Sequence, residues 1–162
     1  MIRISGIILV IFLLLNINYY GYSGKVIGEP ELVPLAKQIL KDAEDLGYEV
    51  PNFYTLTLAF DDMKEVPDEL GNTRLAYTQR YMMLIPKITM NRIFWNNADA
   101  TTRYMVMLHE IGHGIWKRDH DDTILLDSYP KSIMISLIFN PEIFKEHRLY
   151  YLNELFGTCC TF

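Results

Sequence analysis

The sequence predicts a small α+β domain. The chain has 162 residues, which makes one domain the default. Apolar residues recur at three- and four-residue spacing in three segments, while the stretch between the first two alternates apolar and polar instead. The resulting order is helix, several strands, helix, irregular loop, helix, so strands and helices are segregated and not interleaved as in βαβ folds.

Residues 1–23 are expected to stand apart from this domain. Arg3 precedes an apolar run, IRISGIILVIFLLL (2–15), that is short for a membrane span of about 20 residues. A charge, an apolar core and then NINYYGYSG read as a secretory signal peptide, with the small residues Gly21 and Ser23 at the −3 and −1 positions of a cut after Ser23. An uncleaved anchor is the alternative. No cysteine follows the run, which argues against a lipoprotein anchor. The domain itself is then 24–162, long enough to form a core without staples.

EPELVPLAKQILKDAEDLGYEV (29–50) reads as a helix through Leu32, Leu35, Ile39, Leu40 and Ala43, with Pro30 in its first turn and Gly47 at its stop. NFYTLTLAF (52–60) is a half-buried strand with Tyr54, Leu56, Leu58 and Phe60 on one side. DDMKEVPDELGN (61–72) is a charged loop. TRLAYTQRYM (73–82) and LIPKITMNRIF (84–94) are two further strands, the second expected to start after Pro86. NNADATTRYMVMLHEIGHGIW (96–116) is a helix with Asp99 as its N-cap and Tyr104, Leu108, Ile111 and Ile115 as its apolar stripe. HDDTILLDSYPKSIM (120–134) is a loop with a short apolar piece. NPEIFKEHRLYYLNELFG (140–157) is a last helix, started near Pro141 and stopped at Gly157.

The net charge of −5 argues against nucleic acid as a partner, because phosphate binding requires a basic face. Cys159 and Cys160 are neighbours, and a bond between them would close only a small strained ring. A disulfide framework is therefore not expected, even in an exported chain. A monomer is expected, meeting a membrane only if the N-terminal segment is retained.

HEIGHGIWKRDH (109–120) carries the chemistry. Positions i and i+4 share a helix face, so His109 and His113 point the same way and can hold one tetrahedral zinc ion. Glu110 is turned about 100° from His109 and flanks the metal, which suits a base that takes a proton from the attacking water. A buried His-Glu-His group is costly without an ion to satisfy it. A shuffled chain of this composition contains His-Glu-x-x-His only about half a percent of the time. A catalytic zinc also needs a third protein ligand. On a straight helix His120 would lie about 10 Å along the axis from His113, so the chain must turn sharply after about Trp116 for either Asp119 or His120 to reach the ion.

The stretch resembles the metzincin zinc endopeptidases, whose pattern is HExxHxxGxxH with Asp at the last place in some members. His109, Glu110 and His113 match its first half. RLAYT (74–78) is similar to the edge strand that precedes the active helix in matrixins, PKSIM (130–134) to the Met-turn, and FNPEIFKEHRLYYLNELFG to the closing helix. Together these cover about residues 52–157. The resemblance implies a mixed twisted sheet packed on an N-terminal helix and the active helix, Met134 under the metal, and Leu75, Ala76 and Tyr77 aligning an extended peptide substrate.

Two positions depart from the pattern. Trp116 stands where the family has its turn glycine, and Asp119 falls at the third-ligand position with His120 one residue late. His120 is the favoured ligand, because imidazole is the commoner zinc donor and the missing glycine already implies a different turn. An extra residue would let that turn close without positive φ. Asp119 is the alternative ligand. A gluzincin-like arrangement, with Glu142 or Glu146 as third ligand, and a secreted non-catalytic metal-binding protein are the competing readings. Ser136 falls where some members carry a tyrosine that braces the transition state, so that role is not carried over. His147, Trp95 and Trp116 read as packing residues. The expected activity is peptide-bond hydrolysis with Zn2+ as cofactor and Glu110 as general base.

Overall fold

A computed structural model describes residues 24–51, 55–62, 74–81 and 85–157. The signal-peptide reading of 1–23, the 63–72 part of the charged loop, Tyr54 and the Cys159–Cys160 pair lie outside the described residues. The architecture is α+β, a four-stranded mixed sheet with helices. Among the described residues no helix is long and apolar enough to cross a membrane.

The described residues run through strand β1 (Lys25–Gly28), helix α1 (Val33–Asp45), strands β2 (Thr55–Asp61), β3 (Ala76–Tyr81) and β4 (Ile85–Asn91), a short helix α2 (Arg92–Asn97), the long helix α3 (Ala100–Gly114), and α4 (Pro141–Glu146) and α5 (Arg148–Gly157). The sheet order is β1-β2-β4-β3, with β1, β2 and β4 parallel and β3 antiparallel on the edge. β2 alternates as its sequence implies, with Leu56 and Leu58 buried. β4 lies between β2 and β3 and is buried on both faces from Ile88 to Asn91, the pattern of a strand whose sheet is covered on both faces.

Five sequence expectations are corrected. β1 is an additional strand. It is four residues long and only Val26 is even half-buried, so it carries almost no alternation signal. It pairs with β2 so closely at Gly28 that a Cβ there would sit 2.0 Å from the Leu58 carbonyl oxygen, and Gly28 has φ 123°. Helix α1 starts at Val33 with Pro34 in its first turn, not at Pro30, while Gly47 does stop it at φ 83°.

β4 begins at Ile85, one residue before Pro86, and ends at Asn91. Pro86 is tolerated because pairing with β2 begins only at Lys87, so a missing N–H at residue 86 breaks no bond on that side. The RIF piece is helical: Asn91 accepts from the N–H groups of Ile93 and Phe94 at 2.9 and 3.1 Å, and this cap starts α2. The last helix is two helices, broken at His147 (φ −108°, ψ 22°). The hydrogen-bond line runs through the break, from His147 N to Ile143 O and from Tyr151 N to His147 O. The His147 ring packs 4.8 Å from that of Tyr129.

Helix α3 is the axis of the molecule. Asp99 caps it as expected, accepting from Thr101 N and Thr102 N at 2.8 and 3.0 Å. Leu108 and Ile111 are fully buried, and the helix lies against β3, β4 and α1. Two glycines permit the close approach. A Cβ on Gly114 would be 3.1 Å from Pro86 Cβ. A Cβ on Gly112 would be 2.5 Å from Met134 Sδ and 2.9 Å from Leu155 Cδ1, so Met134, itself fully buried, fits beneath the helix only because residue 112 has no side chain. Gly112→Ala is expected to displace Met134 and lower stability by about 1–3 kcal/mol, the usual cost of overpacking. Denaturant unfolding of the two proteins checks this, and an unchanged midpoint would show that Met134 is not wedged there.

Candidate metal centre

His109 and His113 leave the same face of α3, and the chain then turns back on itself. Ile115 keeps helical geometry and donates to the Ile111 carbonyl. Lys117 adopts φ 54°, and Arg118 N donates to the carbonyl of Gly112 at 3.0 Å. A Schellman closure reaches back five residues; this one reaches back six. The turn is therefore one residue longer, but it still passes through positive φ, at Lys117. The expectation of a turn without positive φ is corrected. The left-handed residue of this turn is Lys117, not Trp116.

The longer turn delivers His120 and not Asp119. Among the described residues, His109, His113 and His120 form one group whose ligand atoms all lie within 4.8 Å of one another. His113 Nε2 is 3.0 Å from His109 Nε2 and 3.2 Å from His120 Nε2. Two nitrogens bound tetrahedrally at 2.0–2.1 Å from one ion are about 3.3 Å apart, so the spacing suits a single metal ion. Asp119 is exposed. Glu142 pairs with Lys145 at 2.7 Å, and Glu146 is exposed on α4, so neither joins the group.

The hydrogen bonds of the rings say what the site needs. His109 Nδ1 lies 2.9 Å from the Ile133 carbonyl and His113 Nδ1 2.6 Å from the Arg118 carbonyl. A carbonyl only accepts, so each Nδ1 carries the proton and each Nε2 presents a lone pair. Charging the rings is disfavoured: burial, with repulsion from His113 next, pushes His109 down to about 4, and burial also lowers His113. Two lone pairs facing at 3.0 Å repel each other unless a cation lies between them. The donor set therefore fits a metal ion, and three imidazoles suit zinc, copper, iron or nickel.

Glu110 is buried beside this group. Burial pushes its carboxyl up to about 7, against the opposing effects of the Thr78 hydrogen bond and the Arg74 charge. A cation on the histidines would draw it down again. Thr78 Oγ1 lies 2.6 Å from Glu110 Oε2 and 3.0 Å from the Glu110 carbonyl, so the carboxylate is tethered to edge strand β3. Leu75, Ala76 and Tyr77 are half-buried at the start of that strand, and the Leu75 carbonyl accepts from Asn91 N. Met134 lies under Gly112, between the two helical histidines in sequence. Ser136 donates to Asp122 from its N–H and hydroxyl at 2.7 and 2.9 Å. Trp95 and Trp116 are buried, as expected.

Sequence reading does not find the Thr78 tether, although Thr78 ends the RLAYT segment. It also misses the Ile133 and Arg118 carbonyls, which have no side-chain signature. No family model, curated protein or solved structure matches the chain.

His120→Ala is expected to lower the affinity for added Zn2+ by at least about tenfold, while Asp119→Ala leaves it within a factor of about two. Chelator-competition titration of both variants separates them; the reverse ranking would give the third place to Asp119. At residue 117, glycine is expected to be more stabilising than alanine by about 1 kcal/mol, the penalty of a left-handed Cβ. Equal melting of the two variants would mean that the turn does not hold its φ of 54°.

Proposed function

We propose that the protein is a zinc-dependent endopeptidase of metzincin type, with the ion held by His109, His113 and His120 and with Glu110 as general base. The observation that carries this reading is a buried carboxylate, Glu110, on the helix turn that carries His109 and His113, whose Nε2 lone pairs face each other, and hydrogen-bonded to Thr78 on the edge strand β3. A purely structural metal site has no use for such a carboxylate. The HExxH motif, the neighbouring β3 edge and Met134 beneath the helix support the metzincin reading over a gluzincin one, since His120, and neither Glu142 nor Glu146, joins His109 and His113 in one group.

When bound in this three-nitrogen set, zinc polarises a carbonyl and lowers the pKa of water. The chain's own residues do the rest. An extended peptide pairs with β3 by strand addition, main chain to main chain, near Leu75, Ala76 and Tyr77. Thr78 holds the Glu110 carboxylate in place through its hydroxyl. Glu110 takes a proton from the attacking water and passes one to the leaving amine. Burial of Glu110 keeps bulk water from competing for that proton. Residues 1–23 suit export of the enzyme, released or anchored.

Glu110→Gln is expected to bind zinc like the wild type and to lose about 10²–10⁴ in kcat on casein or a quenched-fluorescent peptide. Chelation is expected to stop wild-type cleavage, and added Zn2+ to restore it. A Glu110→Gln variant that still cleaves at the wild-type rate would sink the assignment. A wild type that binds zinc but cleaves nothing would make this a non-catalytic metal protein.

A further inference from the structure

Outside the three histidines, one carboxylate is connected to both carbonyls that orient the rings. Glu154, on α5, is only 12% exposed at its side chain, and Arg118 only 18%. Arg118 Nη2 donates to Glu154 Oε1 at 2.6 Å, and Arg118 Nη1 donates to the Glu154 carbonyl at 3.1 Å. On the other oxygen, Ser132 Oγ donates to Glu154 Oε2 at 2.8 Å. Ser132, fully buried, in turn accepts from Met134 N at 3.0 Å.

Each branch ends at a ligand. The backbone carbonyl of Arg118 accepts from His113 Nδ1. The carbonyl of Ile133, the residue enclosed by the Ser132–Met134 bond, accepts from His109 Nδ1. Arg118 also lies two residues before His120, so its anchoring fixes where the turn releases the third ring. The two oxygens of one carboxylate thus hold two separate chain segments, the 117–120 turn and the 132–134 turn, at the spacing at which their carbonyls aim two imidazoles at one point.

We propose that Glu154 is the positioning residue of the metal centre, clamping the Arg118 and Ser132 segments so that the carbonyls of Arg118 and Ile133 set the orientation and basicity of His113 and His109. A carbonyl or carboxylate behind a ligating imidazole fixes its tautomer and ring plane. Here the carbonyls are themselves fixed, from one point on the last helix. A buried ion pair is weak evidence for stability, because desolvation offsets much of the attraction. Its use here is geometric. The Arg118 fork and the Ser132 hydroxyl leave the carboxylate little freedom of orientation.

This rests on the three histidines holding a metal ion, and the experiment separates the two ideas. Zn2+ affinity is measured by chelator competition on the full chain for the wild type, Glu154→Gln, Ser132→Ala and Glu154→Asp. Co2+ loaded in place of Zn2+ reports ligand geometry through its visible absorption. Melting of each metal-free protein is recorded alongside. The expected result is that Glu154→Gln weakens Zn2+ binding by about 10–100-fold and alters the Co2+ spectrum. Ser132→Ala is expected to do the same to a smaller degree, and Glu154→Asp to recover part of the loss. Metal-free variants that melt lower, yet bind Zn2+ within about twofold of wild type with an unchanged Co2+ spectrum, would make Glu154 merely structural and overturn the proposal. A wild type that takes up no ion would overturn the metal reading and this inference with it. Should Glu154→Gln not fold, Ser132→Ala, which removes a single hydroxyl, decides by the same criterion.

Discussion

The carbonyls of Ile133 and Arg118 accept from Nδ1 of His109 and His113, and this leaves two Nε2 lone pairs facing each other at 3.0 Å. The arrangement around them follows from that constraint. The rings do not relieve the repulsion by taking up protons, because burial holds His109 down at about 4. They do not swing apart without giving up the hydrogen bonds to the Ile133 and Arg118 carbonyls. A cation between them would satisfy both, and the turn after α3 brings a third nitrogen, from His120, into the same group.

That turn joins the fold to the chemistry. α3 ends where Lys117 takes a left-handed conformation, and the backbone closes onto Gly112. Gly112 therefore has two roles. Its missing Cβ admits Met134 from below, and its carbonyl accepts the N–H that ends the turn. The segments on either side of the site are also sewn to each other: Asp121 N donates to the Met134 carbonyl and Lys131 N to the Thr123 carbonyl, with Asp122 bound to Ser136. The loop carrying His120 and the loop carrying Ile133 behave as one unit in consequence.

Much of this is legible in the sequence. The helix carrying HEIGH declares itself through its Asp99 cap and its buried Leu108–Ile111–Ile115 stripe, and β2 through its alternation. The identity of the third histidine is legible only as a choice, because Asp119 and His120 are adjacent and a single residue of turn length decides between them. What escapes detection is backbone. β1 is too short to alternate, Pro86 hides the first residues of β4, and Asn91 reads as strand in sequence although it also caps a helix. Two carbonyls that orient the ligands leave no trace in residue type. Glu154 is one acid among many in the sequence, and only its burial against Arg118 and Ser132 sets it apart.

The register of the sheet has a bearing on how the molecule assembles. Lys25 pairs with Thr55, and β4 must insert between β2 and β3 before the sheet is complete. Such non-local pairings are the slow steps of folding. The three histidines, by contrast, lie within one helix end and the turn that follows it, and closing so short a loop costs little chain entropy. Bringing the three imidazoles together is therefore a local event, unlike completing the sheet. Their final orientation is not local: the carbonyl that accepts from His109 belongs to Ile133, 24 residues further on, and Glu154 on α5 holds that segment through Ser132.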